Sequence, residues 1–267
     1  MHDLCPAGVQ AAPVGHRLVD PVEREARLEA VLREIARRFG PHVAYRLAER
    51  RQVIGEQTLS TGALSLDLAT GIGGVPRRRI TELTGPASSG KRTLAFHVLA
   101  AAQRDHGCIL YIDAAHRADF EAMAVCGVDR AALFLAVPGR LHEAFDAACL
   151  MLESGGLDAI VIDALDALIG QSLSAAREAA WRLARLAAML HTAPTAVLFV
   201  TEVPGNRLLV LFRQALCYAA SLRIELTPLR PLIHRSGDVV GLRVQATVAK
   251  NKLAPWPRVA VFDIRRG

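Results

Sequence analysis

Arg79-Ile80-Thr81-Glu82-Leu83-Thr84-Gly85-Pro86-Ala87-Ser88-Ser89-Gly90-Lys91-Arg92-Thr93 reads as an apolar strand (79–83), a glycine loop and the start of a helix. The glycines let the backbone curl so that successive N–H groups point inward and ring a phosphate, and the helix behind adds the positive end of its dipole. Lys91 then supplies a compact ammonium to the β- and γ-phosphates of a nucleotide. Composition singles out the same residue: of 32 basic residues only Lys91, Lys250 and Lys252 are lysine. A lysine kept against such a bias is expected where a flexible point charge serves and a planar guanidinium does not. The competing reading is a plain glycine turn between a strand and a helix.

One position departs from the loop pattern. The residue after the lysine is ordinarily Ser or Thr, whose hydroxyl ligates Mg²⁺; here it is Arg92, followed by Thr93. A guanidinium has no lone pair to offer a metal. Either Arg92 points away and the ion is held otherwise, or its charge partly replaces that of the ion. Hydrolysis is the step put at risk, because the metal neutralises charge in the transition state. The second expected part is Asp163, which closes the apolar run 159–162. A carboxylate at the C-terminal end of a neighbouring parallel strand lies near the loop and holds the metal through water. Aspartate after a strand also serves as an ordinary turn residue.

Outward from the loop, the chain alternates strand with helix. Strands are expected at 108–112, 133–136, 159–162 and 196–201, with helices at 91–104, 141–153 and 175–190 between them. Continuous apolar strands alternating with helices imply an α/β fold, a mostly parallel sheet covered on both faces. The runs 220–226, 239–248 and 258–264 have no helices between them and predict antiparallel additions at one edge. Residues 1–55 are expected to form a tail and an amphipathic helix over 22–39, with Leu28, Leu32, Ile35 and Phe39 on one side. That stripe needs a surface, either in its own domain or on a neighbouring subunit. Residues 56–267 form the expected core domain.

Bulk properties narrow the class. Apolar residues make up 52% and charged residues 22%, as in a soluble globular protein. The net charge of +6 mildly favours an acidic partner such as nucleic acid. Five cysteines without a CxxC pair argue against a disulfide framework, and four of them sit in apolar stretches that read as buried free thiols. No apolar run reaches the length of a membrane span, and residues 1–20 lack the pattern of a secretion signal. A cytoplasmic protein with no membrane partner is expected. The nine histidines show no metal-ligand spacing, and His97, on the helix after the loop, reads as packed.

Several stretches in order along the chain resemble the bacterial RecA family. They are Leu59-Ser60-Thr61-Gly62-Ala63-Leu64-Ser65-Leu66-Asp67, Gly73-Gly74-Val75-Pro76 with Arg79-Ile80, and Tyr111-Ile112-Asp113-Ala114 with His116. The glycine loop is similar to the family's GPESSGKT, and Val248-Ala249-Lys250-Asn251-Lys252-Leu253-Ala254 to its KNK segment. The resemblance covers most of the chain and implies a RecA-like core that binds ATP through Gly85, Pro86, Ser88, Ser89, Gly90, Lys91, Arg92, Thr93 and Asp163. It implies that Lys250 and Lys252 reach the γ-phosphate held by an adjacent subunit. Two solvated edge-strand lysines are the competing reading. The sequence closes at Gly267, ahead of the small C-terminal domain usual in that family.

The departures fall around the reacting phosphate. The family's catalytic glutamate is replaced by Ala115, which can do no acid–base work, and the loop glutamate by Ala87. The family's Asn-Gln pair at the end of the fifth strand is Thr201-Glu202 here. Single-stranded DNA is expected at two loops, about 169–176 and 203–212, with Arg207 and Arg213 holding phosphates and Phe212 the one aromatic able to stack on bases. A solvated loop is the alternative. Three functions follow. The first is an ATP-binding RecA paralogue that joins itself or a RecA filament in DNA repair or recombination, with little hydrolysis. The second is an active DNA-dependent ATPase and recombinase in which Glu202 supplies the missing catalytic carboxylate. The third is a non-enzymatic scaffold of translesion synthesis that binds a polymerase.

Overall fold

The computed structural model describes residues 20–39, 58–104, 106–170, 172–202, 209–255 and 258–265. The chain divides into two units, Met1–Val53 and Ile54–Gly267. In the first, α1 (Pro21–Phe39) begins where the Asp20 carboxylate accepts the Val22 N–H at 3.0 Å. Its polar side carries Glu34, which accepts from Arg37 at 2.8 Å and from Arg38 at 2.5 Å, pairs of the kind that modestly support an exposed helix. The two arginines hold the Glu34 carboxyl below its ordinary pKa.

The second unit runs β1 (Thr58–Leu59), α2 (Leu64–Thr70), β2 (Val75–Pro76), β3 (Ile80–Gly85), α3 (Lys91–Gln103), β4 (Ile109–Asp113), α4 (Phe120–Val125) and β5 (Leu133–Ala136). It continues with α5 (Leu141–Glu153), β6 (Ala159–Asp163), α6 (Asp166–Ile169), α7 (Leu173–Met189), β7 (Ala196–Glu202), α8 (Val210–Ala219), β8 (Leu222–Ile233), β9 (Val239–Asn251) and β10 (Arg258–Arg265). Strands β1 and β2 pair with each other. The other eight form one sheet in the order β10-β9-β8-β3-β7-β6-β4-β5. From β8 to β5 the neighbours are parallel, while β9 and β10 add antiparallel at the far edge. This is a RecA-like α/β core.

Alternation along the strands builds two cores. Ile109, Tyr111, Val161, Leu198 and Val200 face one side, where Leu94, Phe96, Val98 and Leu99 of α3 cover them. Leu110, Ile112, Ile160, Ile162 and Phe199 face the other, under Phe145 of α5, Leu183 and Leu186 of α7, and Phe212 and Leu216 of α8. Strands buried on both faces must be apolar throughout, which is why they read as unbroken runs. The chain passes from β3 to β4 on one side of the sheet, then from β7 to β8 on the other. The crevice at the C-terminal end of β3 therefore lies where the strand order reverses, the usual place for a ligand in an open α/β sheet.

Several expectations are corrected. Much of the segment 169–176 is helical: α6 closes at Ile169, and α7 begins at Leu173 with the Ser172 hydroxyl accepting the Ala175 N–H at 3.2 Å. The segment 203–212 gives way to α8 from Val210, and Phe212 is fully buried with its ring 6.4 Å from that of Phe199. It is core, not a platform for bases. Of the thiols expected to be buried, Cys149 is, whereas Cys126 and Cys217 are half-buried and Cys108 is exposed. Among the described residues, no helix is long and apolar enough to cross a membrane.

Candidate nucleotide site

The glycine loop joins β3 to α3, and its two outer glycines are fixed by sterics. Gly85 has φ 154°, and a Cβ there would lie 2.3 Å from the Leu226 carbonyl oxygen. Gly90, the residue before α3, has φ 88°, and a Cβ there would lie 2.2 Å from Ile264 Cδ1. A side chain at Gly85 would need a backbone shift, and one at Gly90 would have to displace the end of Ile264 and hold a strained positive φ. Between them Pro86, Ala87 and Ser88 are exposed, whereas Ser89, and Lys91 just after Gly90, are buried. The Lys91 ammonium donates to the carbonyls of Gly85 at 2.9 Å and Pro86 at 2.6 Å. Burial lowers its pKa, and the Glu202 carboxylate works against that shift. The first turn of α3 points its unpaired N–H groups into the same loop, so ammonium, backbone donors and helix dipole converge on one anion-binding place.

Asp163 lies at the end of β6, in register with Asp113 of β4 and Val200 of β7, and is fully buried. Its Oδ2 accepts from Arg92 Nε at 2.5 Å and from the Tyr111 hydroxyl at 2.6 Å. Burial is the largest influence and works against the Arg92 charge, but the bond to Asp163 and the charges of Asp163, Tyr111 and Glu202 together outweigh it, and the guanidinium pKa is raised. Burial, then the Asp163 charge, pushes the Tyr111 phenol well above its ordinary range, which keeps it a donor. Asp163 Oδ1 has no hydrogen-bond partner and is sealed from solvent. One carboxylate oxygen is thus committed to two donors and the other is buried without a partner.

This donor set does not suit Mg²⁺. The hydroxyl ligand expected after the lysine is the Arg92 guanidinium, and that cation sits on the aspartate meant for the metal. Among the described residues, no group of three His, Cys, Asp or Glu side chains is placed to hold an ion. Asp113 serves its own turn, accepting the N–H groups of Arg117 at 2.9 Å and Ala118 at 2.8 Å. Ala115 lies in that turn, half-buried.

At the end of β7, Thr201 is buried and donates to Glu82 Oε1 at 3.0 Å, while Glu202 is exposed. Glu82 is itself 1% exposed in the middle of β3. Arg213 Nη1 lies 3.9 Å from one of its oxygens and Arg223 Nε 3.4 Å from the other. Arg213 also donates to Asp166 Oδ2 at 2.7 Å and to the Glu202 carbonyl. Burial raises the Asp166 pKa, and Arg213 opposes the shift. Arg213, expected to meet DNA, has its guanidinium turned inward among these carboxylates with 11% of its side chain exposed. Arg207, expected beside it, lies outside the described residues.

Lys250 and Lys252 sit elsewhere. Asn251, between them, pairs with Leu222 of β8, and Leu222 pairs with Thr81 near the start of β3. The glycine loop leaves β3 at its other end, roughly 13 Å further along the strand. Both ammoniums cap the C-terminal end of α8: Lys250 donates to the Cys217 carbonyl, and Lys252 to that of Tyr218 at 2.7 Å. Lys252 also lies 5.3 Å from the centre of the Tyr218 ring, and Tyr218 is exposed. Cations there are favoured by the negative end of the helix dipole. The structure therefore brings Lys91, Arg92, Thr93, Asp163 and Glu202 to one end of the sheet and the other two lysines to the opposite end.

Sequence reasoning passed over Tyr111, Glu82 and Asp166. Tyr111 interrupts an otherwise aliphatic strand one residue pair before Asp113, and Glu82 is an ionisable residue inside a core strand; both are signals of a buried polar network.

Comparison with known proteins agrees with this architecture. The family model of the RecA N-terminal domain matches residues 26–267. The chain is 35% identical to Protein RecA of Paramagnetospirillum magneticum over 94% of its own length and 75% of that protein. It is 36% identical to Protein RecA of Bifidobacterium breve (98% and 70%) and 35% identical to that of Aquifex aeolicus (92% and 76%). With the glycine loop, the strand order and the KNK segment in place, this chain belongs to the RecA family.

Proposed function

We propose that this protein binds ATP in the loop from Gly85 to Thr93 and acts with single-stranded DNA in recombination and repair, with little or no hydrolysis. The observation that carries the reading is the division of the three lysines between opposite ends of one sheet. Lys91 serves the nucleotide of its own subunit. Lys250 and Lys252 are too far away to reach that nucleotide; in the single subunit they cap α8, and on this reading they leave those carbonyls for the loop of a second copy or of a RecA filament subunit. Weak turnover follows from the residues around the phosphates. Ala115 offers no base to the attacking water, and Asp163 is engaged by Arg92.

The test pairs ATP binding with steady-state phosphate release in the presence of single-stranded DNA, followed by imaging of ATP-dependent filaments. Binding that vanishes in Lys91→Ala, with turnover far below that of an ordinary RecA protein, is the expected result. Turnover at the ordinary RecA level would overturn it.

A second reading has one observation in its favour. Glu202 is exposed at the end of β7 and close enough to Lys91 to influence its charge. Were it the catalytic carboxylate of an active ATPase, Glu202→Gln would abolish turnover; unchanged turnover would remove the idea. The relatives named above are RecA proteins, and a translesion polymerase partner gains no support from them.

A further inference from the structure

We infer that Arg92 is a built-in replacement for the divalent ion, so that this site takes the nucleoside triphosphate in its metal-free form. The inference rests on the ATP-binding reading above and specifies which ionic form of the nucleotide is bound.

The argument begins with Asp163, a fully buried carboxylate at the end of β6. A buried charge must be paired. In a magnesium site its partner is the hydrated ion. Here the partner is the guanidinium one residue past the loop lysine, joined through Nε at 2.5 Å and reinforced on the same oxygen by Tyr111 at 2.6 Å. Nε is the inner nitrogen of the fork. Bonding through it leaves the two terminal nitrogens, which carry four of the five N–H donors, uncommitted to that carboxylate. The Arg92 side chain remains 35% exposed, so it is accessible from the crevice while anchored at its base. Planar, fork-shaped donors of this kind match phosphate oxygens.

The charges agree with this assignment. Asp163 neutralises part of the Arg92 charge and sets its direction, and is therefore a positioning residue rather than a ligand. Lys91 and Arg92, consecutive at the start of α3, then face a polyanion with the helix dipole behind them. A divalent ion brought in with the nucleotide would have to approach the same carboxylate against a fixed positive charge. Metal-bound nucleotide is thus the disfavoured form, opposite to the usual preference of a phosphate loop.

The test is a titration of the full-length protein with a fluorescent ATP analogue, once with excess Mg²⁺ and once with EDTA. The expected result is affinity in EDTA equal to or tighter than affinity in Mg²⁺. Weakening in EDTA by about tenfold or more overturns the inference while leaving ATP binding intact. Absence of binding in both buffers overturns the ATP reading and this inference with it. Arg92→Thr, which restores a hydroxyl ligand, should make binding weaker in EDTA by about tenfold and recover it with Mg²⁺. A variant as insensitive to EDTA as the parent overturns the assignment. Arg92→Thr strands a buried carboxylate and is vulnerable to misfolding, so a second measurement needs no substitution. Electron paramagnetic resonance of Mn²⁺ with ATP should show no ion held by the unaltered protein–nucleotide complex. One tightly bound Mn²⁺ per subunit would refute the inference.

Discussion

Asp163→Asn separates the two roles this aspartate can have, and it does so without any nucleotide. An aspartate that awaits a metal carries an unpaired buried charge in the metal-free protein, and an amide in its place relieves that charge, so stability holds or rises. Asp163 is instead already paired. The charge-assisted bond from Arg92 is worth about 1.5–3 kcal/mol when buried, and solvent screening of a side chain that is 35% exposed reduces it to roughly 1–2 kcal/mol. The bond from Tyr111 is fully buried; an asparagine oxygen in the Oδ2 place still accepts from both donors but without the charge, and its NH₂ takes the buried, partnerless Oδ1 place. A buried NH₂ left without an acceptor costs about 1–3 kcal/mol. Together these predict a loss of about 3 kcal/mol. For a domain of this size that corresponds to a fall in Tm of about 6–12 °C. The assay is urea and thermal unfolding of both proteins in EDTA, with the urea slope expected to stay constant because the surface exposed on unfolding is the same. An unchanged or raised Tm would refute the pairing and with it the case for Arg92 as the resident cation.

Three further outcomes are expected. Glu82→Leu should cost about 3–5 kcal/mol in urea unfolding, because it leaves the inward-facing Arg213 and Arg223 without their shared carboxylate; a loss below about 1 kcal/mol would mean that Asp166 and Glu225 suffice for the two arginines. Gly90→Ala sets a Cβ against Ile264 Cδ1 at φ 88° and should lower stability by about 1–3 kcal/mol and abolish nucleotide binding, read by thermal melting and ATP titration. Lys250→Ala with Lys252→Ala should leave ATP binding by isolated subunits intact but prevent ATP-dependent assembly in sedimentation. Mixing that variant with Lys91→Ala should restore pairs of subunits, since one complete composite site forms at their junction. Failure of the mixture to associate would count against contact between subunits.

The sequence carried the framework because its signals were local. The run 133–136 and the helix 141–153 have the bounds read from their apolar spacing. Gly85, Gly90 and Lys91 fall where backbone sterics and phosphate geometry require them. The failures share a cause: each depended on what a residue meets across the fold. Phe212 looked like an exposed ring in a polar loop, yet it lies on α8 with Phe199 of β7 beside it in the core. The direction taken by Arg213 depends on Asp166 and Glu82, residues 47 and 131 positions away in sequence. Cys108 follows an apolar-looking pattern but stands before the strand rather than in it. For Arg92 the sequence left two orientations open, and Tyr111, unnoticed as a neighbour of Asp163, belongs to the one observed.

The substitutions around the phosphates support one another when taken as a set. A mobile hydrated ion follows charge as it shifts toward the leaving oxygen, which is how it lowers a barrier rather than merely holding a substrate. A guanidinium tethered to α3 and pinned through Nε to a buried carboxylate has a fixed place. It attracts the ground state as strongly as the transition state, and such uniform binding tightens the complex without speeding the reaction. On the proposed reading, alanine at position 115 costs the protein nothing further, since the barrier would already be unassisted by metal. Nor does Thr201 read the phosphate: its hydroxyl is turned away toward Glu82, in a network that reaches the Glu202 carbonyl through Arg213. On the proposed reading, nucleotide occupancy, rather than a cycle of cleavage and release, sets whether subunits join. Assembly should therefore persist for as long as ATP stays bound, and disassembly should track the nucleotide dissociation rate.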